Sequence, residues 1–491
     1  NDRDGEAADA VRITPGTGWR ETLLAPGAMD WLFRLNTAAF DGASRGAAAS
    51  SGGHSKVEAL ASAARGVVAS LCALSGDVFP SAREEPGGET RRRHFAACVR
   101  ALRAVLSPAN AAVALAASGS ATGEENLEDG ARALCSLAEV HPVEDFVTPP
   151  GAMPGCNDVA SANDQNALGM LGELTLALIA AGALRGEHEG GAMEESLRML
   201  LDAWGSLIGR VGQFGCPPEL ANGAAAVFQA YLHGGLAAVA ESAYDDDDGQ
   251  EEEGKAGAAA LDERLSLIAP IARAAPDATL PLLRQALDAK KQALAATTAN
   301  GADPTTALEE LWWLGRLVPH VLADAFDGEI PLPPDSLAEC RARATHEERE
   351  CPVDALAGEY VQLTCLCLDE NARRAMSPRL LETLTWGSAR WADTYLMSED
   401  TGGSLHAAIF AHNALGGGGE GRVYRGANKA KPAAFSEAGG GAQVLDALLR
   451  AAFVCLTAWP GETGVQKAAA STLLPALTRR RALCRTCVNL P

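Results

Sequence analysis

Residues 277–326 read DATLPLLRQALDAKKQALAATTANGADPTTALEELWWLGRLVPHVLADAF, which is two apolar segments separated by a short polar break. The segments 277–297 and 305–326 are predicted to be helices. The break between them holds Asn300, Gly301 and Pro304, residue types that end helices. The same alternation of helical segment and polar break runs along the rest of the chain. No stretch sustains two-residue alternation, so the sequence predicts no sheet.

Helical segments recur along the whole chain and favour a single architecture. Paired helices recur at roughly 40-odd residues, without an identical motif, which predicts an all-α, HEAT-like helical-repeat superhelix, or α-solenoid. We expect one array over residues 1–491, with insertions at 41–55, 81–91, 243–258 (acidic) and 401–440 (rich in glycine). The other predicted helices are 56–75, 94–106, 109–117, 126–140, 165–184, 192–210, 218–242, 260–274, 352–367, 378–397, 441–458 and 464–478.

Length and composition agree with this prediction. The chain has 491 residues and a mass of 50.7 kDa, which is too long for one compact core. Hydrophobic residues make up 47% and aromatic residues only 5%, because alanine and leucine supply most of the apolar content. These two residue types are strong helix formers, and β-branched residues are sparse, so closely packed helices are favoured over sheets.

The net charge bears on the class of partner. Lys+Arg is 41 and Asp+Glu is 63, so the chain carries a formal charge of −22. Nucleic acids are bound by basic stripes, so this chain is a poor candidate for them and suits basic partners better. Part of the charge lies in the acidic insertion, in Asp245, Asp246, Asp247, Asp248 and 251–253. This run is either a solvated linker or an element that meets a basic partner surface.

Twelve cysteines are scattered, mostly inside apolar helical stretches, which favours reduced, buried thiols in a cytosolic or nuclear protein. The CxC of Cys365 and Cys367 and the CxxC of Cys484 and Cys487 lack a second pair or histidines at zinc spacing, so no metal site is predicted. The sequence shows no signal peptide and no apolar run long enough to span a membrane. Both ends read as cut from a longer chain.

One segment imitates an enzyme motif. Gly416, Gly418, Gly421 and Val423 fit GxGxxGxV, the loop that covers ATP phosphates in protein kinases. The match lies in a low-complexity stretch, and neither an HRD nor a DFG triplet accompanies it. GxSxG and HExxH are also absent, and the nine histidines are dispersed. The sequence therefore predicts a protein that is not an enzyme and needs no cofactor.

Two adjacent acids, Glu309 and Glu310, directly precede Trp312 and Trp313. Neighbouring positions differ by about 100° around a helix, so we expect at least one of the two glutamates to be exposed. A carboxylate beside an aromatic ring is a good receptor for a cationic side chain. The alternative is a surface acid next to core tryptophans. The triplet 479–481 (RRR) closes a helical segment, where cations are favoured.

Several stretches, in family order over nearly the whole chain, resemble the exportin-4 family of nuclear transport receptors, in the importin-β (karyopherin) superfamily. The most extensive similarity lies in LEELWWLGRLVPHVLADAFDGEIPLPP (308–334) and LTAWPGETGVQKAAASTLLPALTRRRA (456–482). Further similar stretches are PGTGWRETLL (15–24), ALASAARGVVASLCALSGDVFP (59–80), MEESLRMLLDAWGSLI (193–208), VFQAYLHGGLAA (227–238) and LTWGSARWADTYL (384–396).

The resemblance implies a HEAT-repeat superhelix that shuttles between nucleus and cytoplasm and carries folded cargo through nuclear pores under control of Ran-GTP. Family cargo includes the hypusine-bearing translation factor 5A, and import of some HMG-box transcription factors is also attributed to the family. Nuclear pore proteins would be further partners. The resemblance places Glu309 and Glu310 on the cargo-binding surface, with Trp313 packing behind. The chain corresponds to a middle portion, without the terminal repeats.

Two other classes of function stay open at this stage. One is a structural α-solenoid scaffold without a GTPase partner, because helical arrays serve that purpose too. The other is an enzyme that uses the 416–426 loop to bind ATP. Nucleotide-dependent Ran binding separates the first from a transport receptor, and ATP titration tests the second.

Overall fold

The computed structural model describes residues 14–25, 31, 54–149, 152, 166–185, 191–211, 215–244, 251–324, 332–396 and 441–478. Within these ranges the chain is all-helical and has no β-strand, which confirms the predicted all-α class. The chain divides into two compact units, 1–234 and 235–491. Each is described by itself.

Among the described residues of the first unit, a short helix is followed by eight others. In chain order these are α1 (Arg20–Leu23), α2 (His54–Cys72), α3 (Glu89–Leu106), α4 (Ala109–Ala117), α5 (Ala121–Val140), α6 (Val143–Val147), α7 (Ala167–Ala180), α8 (Ala192–Gly209) and α9 (Pro218–Ser242), whose last residues belong to the second unit.

The second unit continues the pattern. Its helices are α10 (Glu251–Ala274), α11 (Pro276–Asn300), α12 (Thr305–Leu322), α13 (Asp335–His346), α14 (Pro352–Cys365), α15 (Glu370–Ala375), α16 (Pro378–Tyr395), α17 (Gly441–Thr457), α18 (Thr463–Ala468) and α19 (Leu474–Thr478). A π-helical turn, Ala469–Leu473, joins the last two.

Helices that are not consecutive in the chain pack side by side in rows. In the first unit α2, α5 and α8 contact one another in that order, and α4 contacts α7. In the second unit α10, α12 and α16 form one row, and α11, α14 and α17 form another. Contacts between α11 and α12, and between α14 and α16, join the two rows.

Several row contacts share an offset of 67–70 residues, whereas Asp262 of α10 meets Arg316 of α12 at a separation of 54 and Arg273 meets Val321 at 48. Between α12 and α16, Glu309 pairs with Arg379 and Ala323 with Arg390, at separations of 70 and 67 residues. Between α11 and α14, Lys291 pairs with Glu359, at a separation of 68. Across α5 and α8, Cys135 meets Asp202 and His141 meets Arg210, at separations of 67 and 69. The spacing of 67–70 residues therefore occurs in both units, between α5 and α8 in the first and at the α11–α14 and α12–α16 contacts in the second.

This repeat is longer than the 40-odd residues that the sequence indicates. Helices that the sequence analysis did not predict, α6, α13 and α15, lie between the members of a row and lengthen each repeat. Two predicted insertions also end early, because α3 already begins at Glu89 and α10 at Glu251. The insertion at 401–440 and most of that at 41–55 lie outside the described residues.

Local chemistry fixes several helix ends. The Ser120 hydroxyl accepts a hydrogen bond from Gly123 N at the start of α5, and the Asn166 side chain accepts one from Gly169 N at the start of α7. At α16, Ser377 caps the first turn and Pro378 occupies the first helical position. Gly301 ends α11 with φ +65°, in the left-handed region that glycine enters without strain.

The end of α12 is held from both sides. Arg273 of α10 donates to the carbonyls of Val321 (2.7 Å) and His320 (2.6 Å). Arg390 of α16 donates twice to the Ala323 carbonyl, at 3.0 and 2.7 Å, and the Tyr395 hydroxyl donates to Leu322 O at 2.7 Å. The last carbonyls of a helix lack intrahelical donors, and here both row neighbours supply them.

One described helix is apolar enough, by length and composition, to cross a membrane, contrary to the expectation from the sequence. It is α9, with 25 residues and a mean hydropathy of 1.2 over its most apolar part. Its side chains Leu220, Val227 and Phe228 have no solvent exposure, and Gly223 lies directly against the Trp204 ring of α8. A third (33%) of that most apolar part is buried in the structure.

Candidate partner-binding face

The α12–α16 contact carries the first of the two predicted acids. Glu309 Oε2 accepts a hydrogen bond from Arg379 Nη1 at 2.8 Å, in a pair whose arginine is 56% exposed. The same guanidinium lies over the Trp312 ring, 3.7 Å from the ring centroid. Acid, arginine and tryptophan therefore form one stacked group at the surface, with the acid half-buried.

Glu310 points the other way, toward α11. Its side chain is buried, and Oε1 lies 2.7 Å from Lys290 Nζ. The expectation that at least one of the adjacent acids is exposed is met only in part, because Glu310 is buried and Glu309 is half-buried, each with a basic partner from a different neighbouring helix. A helix with neighbours on two sides leaves little free surface.

Trp313 packs in the core. It is 4% exposed, and its ring fills the space at Gly235, where a Cβ would overlap the indole. Glu310 and Trp313 are both buried and only Glu309 reaches the surface, so the three residues do not form one exposed patch.

A second aromatic group follows one turn further along the same contact. The Trp386 ring of α16 has the Arg316 guanidinium 5.1 Å and the Arg390 guanidinium 5.6 Å from its centroid. The His320 ring lies 5.7 Å away on α12. Asp262 of α10 pairs with Arg316 at 3.0 Å and faces His320 Nε2 at 3.3 Å. Arginine and tryptophan therefore alternate along the α12–α16 contact.

Burial dominates the ionisation of this group. It lowers the pKa of His320, although Asp262 opposes the shift. Burial, together with the charge of Arg273, lowers the pKa of Arg390 to about 10. The imidazole is therefore neutral near pH 7, and Asp262 has Arg316 as its charged partner.

Other sequence-predicted features cannot be placed. The acidic run of Asp245, Asp246, Asp247 and Asp248 lies outside the described residues, as do the 416–423 glycine motif and the CxxC of 484–487. Of the CxC, Cys367 is fully buried and Cys365 half-buried. Burial raises the pKa of the Cys365 thiol to about 12, which agrees with the expected reduced, inert cysteine.

Sequence reasoning missed the basic members of this face. Arg379 and Lys290 lie 70 and 20 residues from the acids that they pair with, so no local spacing connects them. Only the row offset of 66–70 residues, known from the fold, could have aligned Glu309 with Arg379.

No protein-family model matches the chain, and no curated protein matches it.

Proposed function

We propose that this chain is an α-solenoid segment of a nuclear transport receptor of the exportin-4 family, which carries basic protein cargo through the nuclear pore in a Ran-GTP-dependent manner. The observation that carries the proposal is the parallel offset of 66–70 residues, which recurs in both units.

An offset that recurs between neighbouring helices is typical of a solenoid. Each repeat contacts only its neighbours, and small rotations per repeat add up along the array. The arrangement of α10, α12 and α16 in one row and α11, α14 and α17 in the other supports HEAT-like repeats. In such an array Ran-GTP and export cargo favour the same curvature, so each raises the affinity for the other.

The charge and the resemblance support the transport role and the basic cargo. An acidic chain of formal charge −22 suits a cationic passenger. Hypusine is a long, multiply cationic side chain, and carboxylates beside aromatic rings are suited to it. The similar stretches also occur in the order found in the exportin-4 family.

Geometry gives the two candidate acids different roles in the proposed cargo site. The Glu309–Arg379 pair is exposed on its arginine side, and such pairs are worth only about 0–1 kcal/mol. A cargo cation can therefore replace Arg379 beside Glu309 and over Trp312. Glu310 is buried with Lys290, so its role is to hold α12 against α11. Trp313 supports the same helix from the core.

The acidic insertion is a second proposed contact. Asp245, Asp246, Asp247 and Asp248 would attract the basic surface of a partner by long-range charge, which raises the rate of encounter. The alternative role of this run is that of a solvated linker between α9 and α10.

A pull-down with Ran locked in its GTP-bound form tests the proposal, with Ran-GDP as the matched control. We expect retention of Ran-GTP alone by the full-length protein, and stronger retention when a hypusine-bearing cargo is present. Equal binding of both nucleotide states would instead favour a scaffold without a GTPase partner. The same rows of helices also support the scaffold alternative.

A further inference from the structure

A thiol and two carboxylates converge in the first unit, away from the face described above. Cys135 and Glu139 lie four residues apart on α5 and therefore share one side of the helix. Asp202 faces them from α8. One donor atom from each of the three residues lies within 4.8 Å of the other two. Cys135 is buried, and both acids are half-buried.

The parallel packing of α5 and α8 sets this geometry. The Cys135 thiol donates to Asp202 Oδ2 at 3.5 Å. In a tetrahedral zinc site, bonds of about 2.3 Å to sulfur and about 2.0 Å to oxygen place these two ligand atoms about 3.5 Å apart. Two of the donors therefore already have the separation that such an ion requires. A side-chain rotation of Glu139, which moves its carboxylate by about an ångström, completes a three-ligand set.

The donor types select the kind of ion. Thiolate is a soft ligand that favours Zn²⁺, Co²⁺ and Cd²⁺ over Mg²⁺ and Ca²⁺, which bind oxygen donors. The two carboxylates of Asp202 and Glu139 supply negative charge beside the thiol, which favours a cation there. A nearby arginine, Arg198, donates two hydrogen bonds to the carboxylate of Glu195, at 2.6 and 2.8 Å.

We propose that Cys135, Glu139 and Asp202 form a binding site for a thiophilic divalent cation, of which Zn²⁺ is the natural representative. On binding, the S–H bond of Cys135 breaks, its proton goes to solvent, and a sulfur–metal bond forms. The three side chains together with the ion then carry a charge of −1 instead of −2. The fourth position of the ion is open to water or to a partner side chain. The ion fastens α5 to α8, so it links two neighbours of one row.

This inference does not rest on the transport role, and it is tested with the metal alone. Co²⁺ is titrated into the full chain under reducing conditions. The readout is the near-ultraviolet sulfur-to-cobalt charge-transfer band. We expect the band to saturate at one ion per chain, and Zn²⁺ to remove it by displacement. We also expect Cys135→Ser to abolish the band. Asp202→Asn and Glu139→Gln should each weaken binding at least tenfold while the helical circular dichroism is unchanged.

The chain offers a matched control in its other cysteines. The double variant Cys484→Ser with Cys487→Ser should keep the full band. A band that survives Cys135→Ser, or one that disappears in the double variant, overturns the proposal. If Cys135→Ser fails to fold, the test is the number of protons released on Zn²⁺ addition. The wild-type chain should release one proton per Zn²⁺ at pH 7. Glu139→Gln should release it only at a tenfold higher Zn²⁺ concentration. The absence of proton release from the folded wild-type chain on Zn²⁺ addition also overturns the proposal.

Discussion

The Arg379 guanidinium lies 3.7 Å from the Trp312 ring centroid and at the same time donates to Glu309 at 2.8 Å. One arginine thus satisfies an acid and covers an aromatic face, which are the two features that attract a foreign cation. At the proposed cargo site, therefore, the place of a foreign cation is already taken by the chain's own Arg379. Cargo binding there would be an exchange, and its strength would depend on how weakly Arg379 is held.

The two neighbouring acids are expected to respond differently to neutralisation. Glu309→Gln should weaken binding of a polyamine-bearing peptide several-fold and change the free energy of unfolding by less than about 1 kcal/mol, because its ion pair is solvent-screened. Glu310→Gln should cost about 1–3 kcal/mol of stability, because it weakens a buried charged pair with Lys290. Fluorescence polarisation and urea unfolding measure the two effects.

The exposed acid Glu219 provides the matched control for both variants. Glu219→Gln should leave peptide affinity and stability unchanged. If Glu309→Gln binds the peptide like the wild type, Glu309 has no part in cargo binding.

Arg273 should be among the arginines that matter most for the stability of the second unit. Arg273→Met removes the donors to His320 O and Val321 O, which are buried, and should lower the free energy of unfolding by about 2–4 kcal/mol. The exposed Arg374 is the comparison, and Arg374→Met should change stability by less than about 0.5 kcal/mol. Equal effects of the two variants in chemical denaturation would contradict the role of Arg273.

Two helical glycines should respond in opposite directions to alanine. At Gly387 in α16 a Cβ would overlap the Tyr360 hydroxyl and the Pro319 ring, and it would displace the 2.9 Å hydrogen bond from Tyr360 to Gly315 O. We expect Gly387→Ala to destabilise by about 2 kcal/mol or more. At Gly205 in α8 a Cβ meets no atom within 4 Å, so Gly205→Ala should stabilise by up to about 1 kcal/mol. Calorimetry of both variants measures whether each substitution raises or lowers the stability of the protein.

Acidification should weaken the first unit through its buried histidines. Burial lowers the pKa of His94 from 6.5 to about 4 and also lowers that of His141. Between these pH values the unfolded chain takes up protons that the folded chain does not, so stability falls as pH drops from about 6.5 toward 4. His94 alone should lower the free energy of unfolding by about 3 kcal/mol by pH 4.

Urea unfolding at a series of pH values measures the slope of the free energy of unfolding against pH. His94→Gln should flatten it below pH 6.5. A variant slope identical to that of the wild type would show that His94 titrates normally in the folded chain.

The helices were predictable from the sequence, whereas the partners of their charged residues were not. Apolar spacing and helix-breaking residues located α4 and α12, because burial of one helix face leaves a periodic pattern. The helix α13, DSLAECRARATH, was missed because its charged residues hide the short apolar stripe of Leu337, Cys340 and Ala344. The start of α10 was missed because the run at 251–253 reads as mutual repulsion, although acids are favoured near a helix start.

The candidate sites show the same division. The sequence pointed to Glu309 and Glu310 by their aromatic neighbours, but burial of Glu310 depends on Lys290, a contact set by the packing of α11 on α12. The Cys135–Asp202 contact joins residues 67 apart, so a search for zinc spacing within short motifs passes over it. Local pattern encodes which face of a helix is buried, whereas the row offset decides which side chains meet.

The capped end of α12 has a mechanical consequence. Its final carbonyls accept hydrogen bonds from Arg273 of α10 and from Arg390 and Tyr395 of α16. These bonds connect the three adjacent helices at one level. At the opposite end of α12 the exposed link is the Glu309–Arg379 pair. Flexing of this row would therefore separate the helices at the Glu309 end while the tied end acts as the pivot, and a cation bound at the proposed cargo site beside Glu309 would limit that separation.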